Sequence, residues 1–255
     1  MANLYNSFST EIIKSKNTFA LWLTVIGAII IPLTIIITYG YNWEMFIPKA
    51  GQNPWVEIYE RSFNGLTLFT PLFLILIIAL LFNIEHRSNA WKHIFVLPIF
   101  KGNFYLGKYS FLFLLIGGYY LLFVGLIWCS GIFLGYYKPE LQFLSAAPEW
   151  CSILSFLIKF FIGSLAIIAI HFWLSFRIKN LVANLGIGLA GMAFAILFNG
   201  SAGYNLYFPY SFPILMLNYK ANQAYFFETY HIFSMILFVI ISIAAYFDFV
   251  KRFKG

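Results

Sequence analysis

The run Gly102-Asn103-Phe104-Tyr105-Leu106-Gly107-Lys108 has the G-x4-G-K spacing with which loop amides and a lysine cradle nucleotide phosphates. The next residue is Tyr109, where Mg²⁺ binding needs a Ser or Thr, and aromatic side chains crowd the run. Nucleotide binding is therefore not expected of this chain. Ser201, in Asn199-Gly200-Ser201-Ala202-Gly203, and His231 supply the residue types of a nucleophile and its base, as in an intramembrane hydrolase, with His171 as a second candidate base. The serine lacks the glycine two positions earlier that a nucleophile elbow uses, and the glycines read more simply as a turn. His86, His93 and Glu85 offer metal-ligand atoms, but their spacing fits no zinc pattern, and Arg87 and Lys92 repel a cation. No catalytic residue, no metal ligand and no cofactor bound by this chain is expected.

The elements that must position these residues follow from composition. The chain has 255 residues, of which 62% are hydrophobic and 10% charged. A soluble domain carries about 25% charged residues, so this chain lacks the polar surface to cover a water-exposed globule. The +7 charge is scattered between apolar runs and forms no patch for nucleic acid. A bilayer core needs about 20 apolar residues per helix, and six such runs occur, at 19–39, 63–82, 109–135, 153–176, 181–198 and 232–247. None alternates apolar with polar residues as barrel strands do. The expected fold is all-α and polytopic, with six transmembrane helices in one membrane domain over 1–255.

Positive charge marks the cytoplasmic side of a membrane protein. With the N-terminus inside, Lys14, Lys16, Arg87, Lys92, Lys101, Lys108, Arg177, Lys179, Lys251, Arg252 and Lys254 fall inside and Lys49, Arg61, Lys138 and Lys220 outside, so both termini are expected in the cytoplasm. The first run is read as a retained span, since no small-x-small cleavage pattern follows it. Before it, Leu4, Tyr5, Phe8 and Ile12 recur at helical spacing, with Glu11 and Lys14 elsewhere on the wheel, so 3–17 is expected as an interfacial helix. Lys159 falls within the fourth run and is read as snorkelling outward or as ending an interfacial helix over 150–159, ahead of a substrate or proton site. Cys129 and Cys151 are read as free thiols, with a disulfide as the alternative. Gly131 with Gly135, and Gly186 with Ala190, permit close helix contact. In the external loop 199–229, Tyr207, Pro209, Tyr210 and Pro213 form an aromatic, proline-rich stretch that is read either as a re-entrant outer gate or as an interfacial aromatic belt.

The loop 84–107 is the most informative segment. It reads Glu85-His86-Arg87-Ser88-Asn89-Ala90-Trp91-Lys92, then Leu97-Pro98, then Tyr105-Leu106-Gly107-Lys108-Tyr109. This resembles the first cytoplasmic loop of ABC-2 type permeases, with the pattern E-x-R-x-x-T-x-K, L-P and Y-L-G-K, although Ala90 replaces the Thr or Ser. Glu11-Ile12-Ile13-Lys14 is similar to that family's opening E-x-x-K segment. Length and the aromatic-proline segment look most like its bacitracin and lantibiotic immunity permeases. The resemblance implies a type V exporter-like fold and a non-catalytic permease subunit in the cell membrane, moving an amphipathic substrate such as a peptide antibiotic or a lipid. It implies ATP-binding subunits that hold the ATP and Mg²⁺, and a second permease copy, identical or not. Glu85, Arg87, Trp91, Lys92 and Pro98 are then expected to couple to the ATPase, with Glu85 pairing with Arg87, Lys92 or the N-terminal helix. The alternatives are a membrane-embedded hydrolase using Ser201 and His231, and a non-transporting scaffold subunit.

Overall fold

The computed structural model describes residues 2–16, 18–49, 51–88, 100–198, 203–216 and 227–251. Every regular element among them is helical: α1 (Ala2–Ser15), α2 (Phe19–Tyr41), α3 (Pro54–Arg87), α4 (Lys101–Tyr137), α5 (Trp150–Arg177), α6 (Leu181–Leu197) and α7 (Thr229–Lys251), with short turns between them. Five of these, α2, α3, α4, α5 and α7, are long and apolar enough to cross a membrane. The fifth expected span is α6, whose 17 residues rise about 25 Å. That falls short of the roughly 30 Å hydrocarbon core.

Helix ends follow local chemistry. Asn53 caps α3 by accepting from the Trp55 amide at 3.0 Å, with Pro54 in the first turn where its missing N–H is harmless. Asn180 caps α6 by accepting from the Val182 amide at 2.9 Å. Pro32 and Pro71 lie inside α2 and α3, as membrane helices tolerate when neighbours surround the freed carbonyls.

Helix α3 starts nine residues before the expected run, because Trp55, Ile58, Tyr59 and Ser62 are buried at helical spacing while Glu57, Glu60 and Arg61 lie on the wetter side. Its 34 residues rise about 51 Å, so it outruns a bilayer core. The extension is clamped to the 139–147 connection: Trp55 Nε1 donates to the carbonyls of Phe143 (3.1 Å) and Ala146 (3.0 Å), and Asn53 Nδ2 to that of Ala147 (2.9 Å). Gly131 makes the room, since a Cβ there would sit 2.5 Å from the Trp55 ring. Gly135 likewise packs on Leu144. The GxxxG pair therefore serves contacts within the chain. Gly186 meets nothing within 4 Å.

In the bundle, α2 and α1 pack on α4, α3 on α2, α5 and α6, and α7 along α5. One core cluster runs through α2, α3, α4, α5 and α7. A second, around Ile75, Ile167, Met192, Ala195, Tyr210 and Ile214, joins α3, α5 and α6 to the 203–216 segment.

Candidate functional site

At the end of the bundle where α1 docks, four charges meet, three in the protein interior and Lys14 half-buried at its edge. Lys108, on α4, donates to Glu11 Oε2 and to Glu85 Oε1, each at 2.8 Å. Lys14 reaches Glu11 Oε1 at 2.8 Å and Glu85 Oε1 at 3.5 Å. Glu11, Glu85 and Lys108 are 2%, 1% and 1% exposed. Burying one such charge alone costs several kcal/mol, so each is tolerable only because the set is neutral and hydrogen-bonded. The ammonium groups also lie over aromatic faces, Lys108 at 5.0 Å from the Phe82 centroid and Lys14 at 5.2 Å from Phe104. Burial by itself would raise the Glu11 carboxyl, but Lys108 and Lys14 outweigh it and hold the group below the usual carboxylate range. Three helix ends, α1, α3 and α4, are thus joined through charge.

Local sequence explains the approach. Gly107 faces α1 so closely that a Cβ there would lie 2.9 Å from Ser7 Cβ and 3.2 Å from the Phe8 amide. The glycine and lysine of the G-x4-G-K run therefore serve helix packing and the ion cluster. The run itself is helical, within α4, and cannot wrap a phosphate. Helix α1 docks through Phe8, Glu11 and Ser15, while Leu4, Tyr5, Ile12 and Ile13 are exposed. Glu11 was expected to lie off the membrane face of this helix, and the structure turns it into the bundle.

Glu85 finds the N-terminal helix, one of its expected partners, and also Lys108, which was not expected. Arg87 is exposed and makes no ion pair among the described residues. The expected loop 84–107 narrows, because α3 continues through Arg87 and α4 begins at Lys101. Trp91, Lys92 and Pro98 lie outside the described residues, in the stretch of sequence that links α3 to α4. His86 Nε2 is 2.8 Å from the Ser175 carbonyl oxygen on α5. His93 lies outside the described residues, and no group of three metal-ligating side chains occurs among those described.

A second polar site lies deeper. The 203–216 segment turns back into the bundle, so that Tyr210 is buried and its hydroxyl lies 2.9 Å from His171 Nε2 on α5. Two glycines of α6 frame the pair: a Cβ at Gly191 would lie 2.8 Å from the Tyr210 ring, and one at Gly188 would lie 2.9 Å from His171 Cε1. Pro209 opens the short turn that carries Tyr210, and Pro213 lies at the start of the one that follows. Tyr207 stays exposed, packed edge-on against Phe233 of α7. The expected outer stretch is therefore re-entrant at Tyr210 and superficial at Tyr207. Asn184 of α6 hydrogen-bonds Ser175 Oγ and lies beside His171.

Lys159 is 4% exposed on a continuous α5, so it neither snorkels outward nor ends a separate interfacial helix. It lies beside His231. His231 Nδ1 accepts from the Glu228 amide at 3.0 Å, while Ser201, its expected partner in a hydrolase, lies outside the described residues. Cys129 and Cys151 are free and exposed.

Sequence reasoning missed Lys108 as an ion partner, counting it only among solvated positive charges. The available signal was a glycine immediately before a lysine at a helix start, opposite two E-containing segments. It also missed the His171–Tyr210 contact, which joins positions 39 residues apart. A family model described as ABC-2 family transporter protein matches residues 7–195, which takes in α1 from Ser7 to nearly the end of α6. Neither the curated proteins nor the solved structures contain a match.

Proposed function

The chain belongs to the ABC-2 family of transporter proteins, and from that premise we propose that it is the permease subunit of an ATP-binding-cassette exporter driven by a separate ATPase. The α1 end faces the cytoplasm of a cell whose inner membrane the bundle spans, in keeping with its basic residues. Two such permeases work with two ATP-binding subunits, which hold the ATP and Mg²⁺. The cargo is amphipathic, a peptide antibiotic or a lipid, in keeping with aromatic and aliphatic walls that carry few charges.

The observation that carries this reading is the buried Glu11–Lys108–Glu85–Lys14 cluster. It joins α1 to the two helix ends that flank residues 89–99, the segment on which an ATPase would bear. Removing one member of a buried ion set costs about 3–5 kcal/mol. The three ends therefore move together, and displacement delivered at the loop passes into α3 and α4 rather than into local bending. Glu85 is the residue shared by the loop-side helix and the cluster. Arg87, Trp91, Lys92 and Pro98 are the contacts proposed to meet the ATPase itself.

The test replaces the cluster rather than breaking it. In the full permease co-expressed with its ATPase, Glu11→Gln/Glu85→Gln/Lys108→Met removes the buried charges together, a change that buried ion sets often survive. The expected result is a folded complex that still hydrolyses ATP but transports at least tenfold less per ATP. Unchanged transport per ATP in that variant would reduce the cluster to a structural staple.

A further inference from the structure

At the end of the bundle opposite α1, the first turns of α3 and α5 enclose a cavity of about 240 Å³. Tyr59 and Phe63 from α3 and Phe156 from α5 form its aromatic wall. Phe63 stacks on Phe156 with ring centroids 3.7 Å apart, and Tyr59 stacks on Phe63 at 6.2 Å. Glu60, Asn64 and Glu149 form the polar side, and all three are exposed. Arg61 is bound to Glu57 at 2.9 Å, and Glu60 makes no ion pair among the described residues. Glu149 accepts from Ser152 Oγ at 3.1 Å. Tyr59 adds a further feature, since it is 5% exposed and its hydroxyl is buried without a hydrogen-bond partner. A ligand that brings a polar group can relieve that cost.

Charge decides the sign of the occupant. No Lys or Arg among the described residues lines this cavity, so its two carboxylates have no compensating cation there. Val56 and Ser152 bring the first turns of α3 and α5 to the lining, and each helix N-terminus is worth about half a positive charge. Two full negative charges outweigh those two halves. The carboxylates and the Asn64 carboxamide oxygen accept hydrogen bonds, and aromatic faces attract a cation. A metal ion fits poorly, because no group of three metal-ligating side chains occurs among the described residues. A second cavity of about 790 Å³ adjoins the first and shares Val56, Glu60, Asn64 and Glu149 with it. Lys49 and Arg61 line only this second space, which leaves room for the remainder of a larger ligand.

We infer that the cavity between α3 and α5 binds a primary ammonium group carried on an apolar body. Glu60 and Glu149 receive the charge, and Tyr59, Phe63 and Phe156 receive the apolar part beside it. The ammonium belongs either to a dissolved amine or to the headgroup of an aminophospholipid. The inference deepens the permease reading by giving the amphipathic cargo a cationic end, and it rests on that reading only in calling the occupant cargo.

The probe is dansylcadaverine, a primary amine on an aromatic body. Its binding to the full chain in phosphatidylcholine nanodiscs, without the ATPase, is followed by fluorescence anisotropy against empty nanodiscs. The N-acetylated form keeps the body, loses the charge and is expected to bind at least tenfold more weakly. Glu60→Gln/Glu149→Gln is expected to weaken the amine about tenfold, as for two partly solvated charge pairs, and to leave the acetylated form unchanged. Glu44→Gln/Glu140→Gln removes the same charge outside both cavities and is expected to bind as the parent does. Ser152→Trp keeps every carboxylate, crowds the lining and is expected to weaken the amine at least as much as the first pair. All five positions are exposed, so these variants are expected to fold. Equal affinity for the amine and its acetylated form, or equal loss in the two charge variants, overturns the site. Replacing half the lipid with phosphatidylethanolamine separates the sources: displacement of the probe assigns the lipid headgroup, and unchanged affinity assigns a dissolved amine. With the ATPase absent, a failed site leaves the permease reading standing. A bound amine that the complex with its ATPase and ATP does not move leaves the site standing and counts against the cargo assignment.

Discussion

The charged cluster at the α1 end and the His171–Tyr210 site are both buried and polar, yet they are built to opposite ends. In the first, Lys108 is answered by two carboxylates at 2.8 Å, and Lys14 completes a neutral set. Any movement of one helix relative to the others would strand a charge in the interior. In the second, the partners are neutral, and one bond joins His171 Nε2 to the Tyr210 hydroxyl within apolar surroundings. Movement there would break one neutral hydrogen bond, worth about 0.5–1.5 kcal/mol net, and would strand no charge. A buried set of ion pairs, even with Glu85 Oε2 left without a hydrogen-bond partner, ties its helices firmly, whereas a single neutral bond holds its segment less firmly.

Breaking the rigid side gives the largest effect. Lys108→Met alone leaves Glu11 and Glu85 facing each other without the central cation. It is expected to cost about 3–5 kcal/mol, read as a lower SDS fraction at half-unfolding in mixed micelles. A loss below about 1 kcal/mol would show that the cluster is solvated and not rigid. Next is Gly191→Leu, which drives a side chain into the space of the Tyr210 ring. The expected overpacking penalty is about 1–3 kcal/mol in the same titration, with faster proteolysis confined to the 203–216 segment.

The pH response sharpens the contrast. The folded-state Glu11 carboxyl titrates below the ordinary range, so its contribution is complete above the unfolded value of about 4.3. It is lost as pH falls through the depressed folded value. A fluorophore at Tyr5 on α1 should therefore report a docked helix from neutrality down to about pH 5, with release below about pH 4, and Glu11→Gln should abolish that dependence. Release beginning near neutrality would contradict the ion set. The smallest effect belongs to Arg61→Ala. Arg61 and Glu57 pair at 2.9 Å on a wet surface, so the same SDS titration should move by less than about 0.5 kcal/mol.

The architecture was legible because each apolar run is long enough to be its own signal, and a helix covers each run, although α3 and α4 begin nine and eight residues early. The exceptions have physical reasons. Glu57, Glu60 and Arg61 made the start of α3 read as external loop, although Trp55, Ile58, Tyr59 and Ser62 already carry a helical face. Of the ion cluster, Glu11, Lys14 and Glu85 were legible through their motif spacing. Lys108 was not, because a lysine near a helix end reads as solvated unless the helix packing against it is known. The re-entrant stretch was legible as aromatic and proline-rich. Its depth was not, since that is set by Gly188 and Gly191, whose role appears only once α5 and α6 lie side by side. Lys159 shows the same limit, since its burial depends on neighbours far along the chain.

The most direct test of a rigid coupler joined to a movable segment is a pair of spin–spin distance measurements on the permease with its ATPase, with and without trapped ATP. Labels at the exposed positions Tyr5 on α1 and Leu114 on α4 report the coupler, and labels at Tyr207 and Leu121, also exposed, report the re-entrant segment. The account predicts that the 5–114 distance distribution is unchanged by nucleotide while the 207–121 distribution shifts. A nucleotide-dependent 5–114 distance beside an invariant 207–121 distance would contradict it.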